Sequence, residues 1–326
     1  MIRPSPSGVP VFVNSPFMPT LPQPVPSLTR IHAPELWAEG ITGEGVLVAV
    51  IDSGINREHP DLAQRLWRGA SQGGNFADNG EHLLDSTGHG TAVASQIAGD
   101  GTLGTITGVA PRATLVPLRV GNSEEQYWRA FRFAIRHRVQ VISMSLTLKF
   151  PDEPDHARWR RECEAILAAG VLHANSIGDQ GNIRKLYPVP HNIGPPGDCP
   201  PPWLAGAQRR RGTPSSVISC GSVSPEGRLD ATSGRGPVVW DQPPYTDYRY
   251  RRGRMMGLIK PDICAPGSGT LACNWRYPAH SDAPYVGFGG TSAAAAHLGG
   301  CLALLAHACL RAGKPIVPSC VQQAIE

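Results

Sequence analysis

Four short apolar runs constrain this chain more than any other feature: residues 46–51, 115–120, 139–144 and 171–174 are rich in valine, isoleucine and leucine. Runs this short and this nearly continuous suit strands buried on both faces. Between them lie stretches of helical character, residues 91–98, 124–138 and 155–169. Strands alternating with helices imply an α/β protein whose parallel sheet is joined by right-handed crossovers. Ligands of such sheets sit outside the carboxyl ends of the strands. The first run closes on Asp52 in GVLVAVIDSGI, which puts a carboxylate at that edge. A chain of 326 residues can form one large domain of this class with a full core.

Two further glycine-rich segments carry chemistry. His89 stands in STGHGTAVASQIAG and Ser292 in GFGGTSAAAAHLGG, each at the expected start of a small-residue helix. A serine hydroxyl becomes a nucleophile when a histidine takes its proton and an acid orients that histidine. Ser292 is the candidate nucleophile, His89 the general base and Asp52 the orienting acid. Gly289 and Gly290 permit a tight turn and close approach of a substrate. A helix starting at or just after Ser292 would aim its amides at developing negative charge. Asp61 and Asp85 are alternative acids without the strand-end setting, and His59 and His82 are expected at the surface.

These three motifs, in the order Asp, His, Ser, resemble the subtilisin-like serine protease family. GVAPRATLVPLRV, VISMSL and GLIKPDICAPG extend the resemblance from about residue 33 to the C-terminus. It implies a three-layer α/β/α fold with a mostly parallel central sheet, spanning residues 33–326. It implies a serine endopeptidase working through an acyl-enzyme on Ser292, with peptide or protein as substrate and no required cofactor. Ser145, Leu146 and Thr147 would line the primary specificity pocket, with Thr147 where the family has glycine. The segment after Val120 is shorter than in the family, trimming the strand on which substrates pair. The family's serine segment usually continues to a proline; here the position is Ala296, and the following His297 reads as structural.

One departure touches the chemistry. The family holds the oxyanion with the Ser292 backbone amide and an asparagine, and that asparagine position in NSIGDQGN is Asp179. A carboxylate accepts hydrogen bonds where a donor is needed. Asp179 would have to be protonated, the Ser292 amide would have to act alone, or Asn175 or Asn182 would have to shift into place. Two other functions therefore stand beside the peptidase: a degraded peptidase that binds or scaffolds, and an acyl transferase in which an amine resolves the acyl-enzyme. Structural calcium, common in the family, would fall on Asp100 and Thr102 of AGDGTLGTITG, a thin donor set for an ion that takes six to eight oxygens. No other metal motif is visible.

The remaining features set bounds. Charged residues make up 17% and the net charge is +4, so the basic clusters 209–211 and 249–254 read as solvated faces rather than a nucleic-acid site. Nothing in the sequence reads as a membrane span, and the proline-broken N-terminus does not read as a secretory signal. The eight cysteines lack paired CxxC spacing, and Cys220, Cys264, Cys301 and Cys309, in apolar settings, are expected as reduced, buried thiols, which points to the cytoplasm. Residues 1–32 form a proline-rich arm, either packed loosely on the surface or strapped across the cleft as an inhibitor. Two long irregular regions, 185–213 and 240–256, are expected to frame the cleft.

Overall fold

The computed structural model describes residues 3–4, 10–11, 22–69, 73–78, 80, 82–149, 153–201, 215–240, 245, 248, 250–251 and 255–325. The four apolar runs become β1 (Leu47–Asp52), β3 (Thr114–Arg119), β4 (Val141–Met144) and β5 (Leu172–Ser176) of one seven-stranded sheet, which β2 (Gly74–Asn75), β6 (Ile218–Val223) and β7 (Ile263–Pro266) complete. Their spatial order is β7-β6-β5-β4-β1-β3-β2 and every pairing is parallel. The fold is the expected three-layer α/β/α arrangement.

Strand β1 shows why the runs are continuous. Val48 and Val50 point into one apolar core, and Ala49 and Ile51 into the other. Side chains alternate along a strand, so a strand covered on both faces needs apolar residues at every position. One cover is built from α1 (His89–Ala98) and, later in the chain, α4 (Thr291–Arg311). The other comes from α2 (Glu124–Arg136) and α3 (His156–Ala168), whose Phe131 and Trp159 pack edge to face with ring centroids 5.8 Å apart. A capping box between Ser123 and Gln126 starts α2, and Asp155 caps α3 by accepting from the Arg158 amide. Helix α4 is 21 residues long and apolar enough to cross a membrane, yet most of its side chains are buried against the sheet; its composition is that of a core helix.

Residues 22–32 are held more firmly than a loose arm. Gln23–Pro24 pairs with Thr105–Ile106, and a helical turn, Pro26–Arg30, buries Leu28 completely. Val25 and Leu28 belong to the same core as α4, so the arm expected to end at 32 is core structure from about residue 22. Arg3–Pro4 pairs with Pro10–Val11; the rest of the arm, and with it the expected inhibitory strap, lies outside the described residues.

The two long regions part company. Within the first, Gly194 and Gly197 lie against Leu148 and Ser176, and the Leu148 amide donates to Pro195 O at 2.9 Å, so this loop backs the 145–148 segment. In the second, Trp240 and Tyr245 instead pack on Arg160 of α3. The apolar surface left by α3 is what draws them there. Basic residues 209–211 lie outside the described residues, as does most of 249–254.

Candidate active site

Asp52 ends β1 with 2% of its surface exposed. Its Oδ1 accepts from the Ser53 amide at 2.8 Å and faces His89 Nδ1 at 2.8 Å. On the other side of the ring, His89 Nε2 lies 3.0 Å from Ser292 Oγ. The structure thus brings Asp52, His89 and Ser292 into one line, although they come from three separate elements. Backbone contact sets this geometry. Gly90 passes so close to the turn after β1 that a Cβ there would sit 2.1 Å from Gly54 O. Only glycine lets α1 begin directly over the Asp52 turn.

A second carboxylate, Asp85, organises the start of α1. Its Oδ1 accepts from Ser53 Oγ at 2.8 Å and from the Thr87 and Gly88 amides at 3.0 and 2.8 Å. Its Oδ2 accepts from the amide and hydroxyl of Thr91 at 2.8 and 2.6 Å. Asp85 therefore orients the segment that carries His89 and does not touch the imidazole. The sequence signal was available: an acid just ahead of a helix start is a capping pattern. Burial of the His89 ring opposes its protonation, but the charge and hydrogen bond of Asp52, with Asp85 and Asp179 further off, raise it above its ordinary 6.5.

Helix α4 begins at Thr291, one residue ahead of Ser292, after Gly290 at φ +82°. The Ser292 amide is the second of the helix, where no intrahelical acceptor exists. Ser292 Oγ also faces Ser145 O at 3.3 Å, and Ser145 Oγ donates to Ser292 O at 3.1 Å. The 145–147 segment is thereby locked beside the serine. Thr147 Oγ1 accepts from Lys149 Nζ at 2.6 Å, and both atoms lie 3.2 Å from where a Cβ on Gly178 would be. The space between this segment and Gly178 is narrow.

Asp179 stands at the entry of the same helix. Its Oδ1 accepts from the Thr291 amide at 2.9 Å, and its Oδ2 is 3.0 Å from the position of a Cβ on Gly290. A carboxylate at a helix N-terminus is electrostatically favourable, so Asp179 acts on α4 as a cap does. Neither asparagine takes the family position. Asn175 is fully buried and donates to Ser176 O at 2.7 Å and Leu146 O at 3.4 Å, while Asn182 is exposed.

His59 is not at the surface but fully buried: its Nδ1 accepts from the Asp61 amide and its Nε2 donates to Pro284 O at 2.9 Å. The reason is Asp61, also buried, which ties two loops by accepting from the Leu103 amide and from Tyr285 Oη. His82 is exposed. His297 is buried, hydrogen-bonded to Ala293 O and Ser27 Oγ, and burial lowers it to about 4, in keeping with a structural role. Calcium does not fit the Asp100–Thr102 pair: Asp100 Oδ2 faces Arg65 Nε at 3.2 Å and its Oδ1 accepts from both the amide and hydroxyl of Thr102. All eight cysteines are unpaired; of the four expected to be buried, Cys220 is, Cys301 and Cys309 are half-buried, and Cys264 is exposed because β7 is an edge strand of the sheet.

A hydroxyl, an imidazole and a carboxylate in line at the carboxyl end of a parallel sheet is the arrangement of hydrolases with a nucleophilic serine. Comparison with known proteins narrows the class. The model of the Subtilase family matches residues 43–323. The chain is 29% identical to the major intracellular serine protease of Bacillus subtilis (strain 168) over 293 residues, covering 84% of this chain and 72% of that protein. It is 28% identical to an intracellular serine protease of Paenibacillus polymyxa over 284 residues, 84% and 70% of the two chains. Thermitase of Thermoactinomyces vulgaris is 24% identical over 281 residues, 85% of this chain and 80% of that protein. The chain belongs to the subtilase family and is a serine-type peptidase.

Proposed function

We propose that the chain is a serine endopeptidase in which Asp52, His89 and Ser292 form the catalytic triad. The observation that carries this is the continuous contact Asp52 Oδ1, His89 Nδ1, His89 Nε2, Ser292 Oγ at 2.8 and 3.0 Å. Asp52 fixes the tautomer with the proton on Nδ1, leaving Nε2 free to take the Ser292 proton as Oγ attacks the scissile carbonyl. Collapse of the tetrahedral intermediate breaks the C–N bond, and Nε2 returns that proton to the departing amine. Water then attacks the acyl carbon as it gives its proton to Nε2, and Nε2 returns that proton to Ser292 Oγ as the ester bond breaks.

In this reading the Ser292 amide is the principal oxyanion donor. Asp179, which accepts from the Thr291 amide, takes the place of the family's asparagine donor. The pocket beside Ser145, Leu146 and Thr147 is narrowed by Thr147 and Lys149 and favours small side chains before the scissile bond. Autoinhibition by the N-terminal arm is tested by deleting residues 1–21, which leaves the core segment from residue 22 intact: raised peptidase activity supports a strap across the cleft, and unchanged activity supports an arm packed loosely on the surface. The names of two relatives support an intracellular setting.

Asp179 favours a second reading, a subtilase that binds peptides but turns them over poorly. A fluorophosphonate probe separates the two. Labelling of the full chain that disappears in Ser292→Ala supports the peptidase; an unlabelled full chain supports the binding module. Mass spectrometry of products would reveal joined rather than hydrolysed peptides if the chain were an acyl transferase.

A further inference from the structure

A cleft of about 550 Å³ opens beside His89, lined by Thr87, Trp275, Arg276, His280 and Phe288 among others, and by none of residues 145–149. Its place relative to the reaction follows from the site. Ser292 is locked to Ser145 on the side that holds the acyl half of a substrate. The opposite flank of the imidazole meets Phe288 edge to face, with centroids 5.4 Å apart. Since Nε2 hands its proton to the departing amine, residues after the scissile bond leave past His89 into this cleft.

Its outer wall is the loop joining Thr270–Cys273 to Tyr285–Phe288, and that loop is pinned. Asn56 Nδ2 donates to Trp275 O and Tyr277 O, each at 2.8 Å. Asn274 Nδ2 donates to Ser281 Oγ and Ala283 O at 3.0 and 2.8 Å, and its Oδ1 accepts from the Arg276 amide at 3.1 Å. The Trp275 indole presses on Gly88 so closely that a Cβ there would lie 2.2 Å from its ring. Over that indole, 5.4 Å from its centroid, stands the exposed Arg276 guanidinium, which pairs with no carboxylate among the described residues. The cleft thus combines an aromatic wall with a pre-placed cation, and His280 and the Thr87 and Ser281 hydroxyls add polar groups around it.

We propose that this cleft is a subsite for a carboxylate on the leaving-group side of the scissile bond, with Arg276 reading the charge and Trp275 and Phe288 packing its apolar stem. The inference rests on the peptidase reading above. Two sources share this chemistry: an acidic side chain within the first residues after the bond, and the carboxyl terminus of a short substrate.

The test uses the full chain and quenched peptides with one acyl half, carrying Glu, Gln or Lys at each of the three positions after the bond and ending in an amide. A matched all-alanine pair ends in a free acid or an amide. The native chain should favour Glu over Gln, or free acid over amide, by roughly three- to ten-fold in kcat/KM, the scale of a partly screened ion pair, and the preference should fade with salt. Arg276→Glu should reverse it, cleaving Lys peptides better than the native chain does, a gain that a misfolded variant cannot give. A preference for free acid without one for Glu identifies the carboxyl terminus as the source. Equal cleavage of both pairs, or an acid preference retained in R276E, overturns the subsite. An anilide of the same acyl half, with no residue after the bond, tests the underlying reading: if the native chain hydrolyses neither it nor the peptides, the peptidase reading fails and takes the subsite with it.

Discussion

The turn after β1 and the turn after β5 both face Ser292, and they are built on different principles. At the first, Asp52 and His89 are set by backbone: Gly90 lies against Gly54 O, and five hydrogen bonds from neighbouring groups converge on Asp85. At the second, two hydrogen bonds tie the turn to the entry of α4, from the Gly178 amide to Thr291 Oγ1 at 3.1 Å and from the Thr291 amide to Asp179 Oδ1 at 2.9 Å, and the turn's chemistry depends on the identity of a single side chain, Asp179. The placement of Asp52 and His89 is therefore bound up with the backbone of the fold, whereas the side chain at position 179 can change and leave the Asp52–His89–Ser292 geometry in place. On the peptidase reading, Asp52, His89 and Ser292 specify which reaction is catalysed, and the group opposite them sets its rate.

The strongest way to break the comparison is Ser292→Ala. Hydrolysis should fall by at least about four orders of magnitude, since single triad deletions in subtilisin, a member of this family, cost that much or more. Circular dichroism and melting temperature should hardly move, because Ser292 is only partly buried and α4 retains its other contacts. If hydrolysis persists, the relay does not act through Ser292.

Asp179→Asn sharpens the comparison from the other side. It replaces an acceptor with a donor at a position where the loss of such a donor costs about 10²–10³ in turnover, a value also measured on subtilisin. The variant should turn over peptides at least roughly tenfold faster, with kcat rather than KM carrying the gain. An unchanged or lower kcat would mean that this corner does not contact the oxyanion at all.

Asp85→Ala addresses the backbone half. It leaves the Thr91 amide and hydroxyl and the Thr87 and Gly88 amides without their acceptor, and a buried network broken in this way costs about 2–4 kcal/mol. Chemical denaturation should show that loss, and kcat should fall with it as His89 loses its fixed origin. A large loss of stability with kcat untouched would limit Asp85 to structure.

How much of this was legible beforehand follows the same division. Strands β1, β3, β4 and β5 and helices α1, α2 and α3 lie within a few residues of the sequence pattern, because burial on both faces and helix capping leave local marks. The triad segments were legible for a similar reason: their glycines record backbone close approach. What escaped was set by distant partners. His59 is buried because Asp61 needs Leu103 and Tyr285 around it, and residues 22–32 join the core because α4 offers them an apolar face. Trp275 covers Gly88 from a loop nearly two hundred positions away, a contact that no local period encodes.

The smallest expected effect links the two turns directly. On the peptidase reading catalysis needs His89 neutral, so activity is lost as pH falls through its raised value. Burial of the ring works against that rise, and among the charges that produce it Asp179 follows Asp52 and Asp85. Replacing Asp179 with Asn removes one negative charge that favours the imidazolium, so the ring should release its proton at lower pH. The acid limb of kcat/KM for Asp179→Asn should therefore move to lower pH, while Asp52, still 2.8 Å from Nδ1, keeps the profile single-stepped. A limb that stays in place would show that the two turns, though both face Ser292, do not share an electrostatic field.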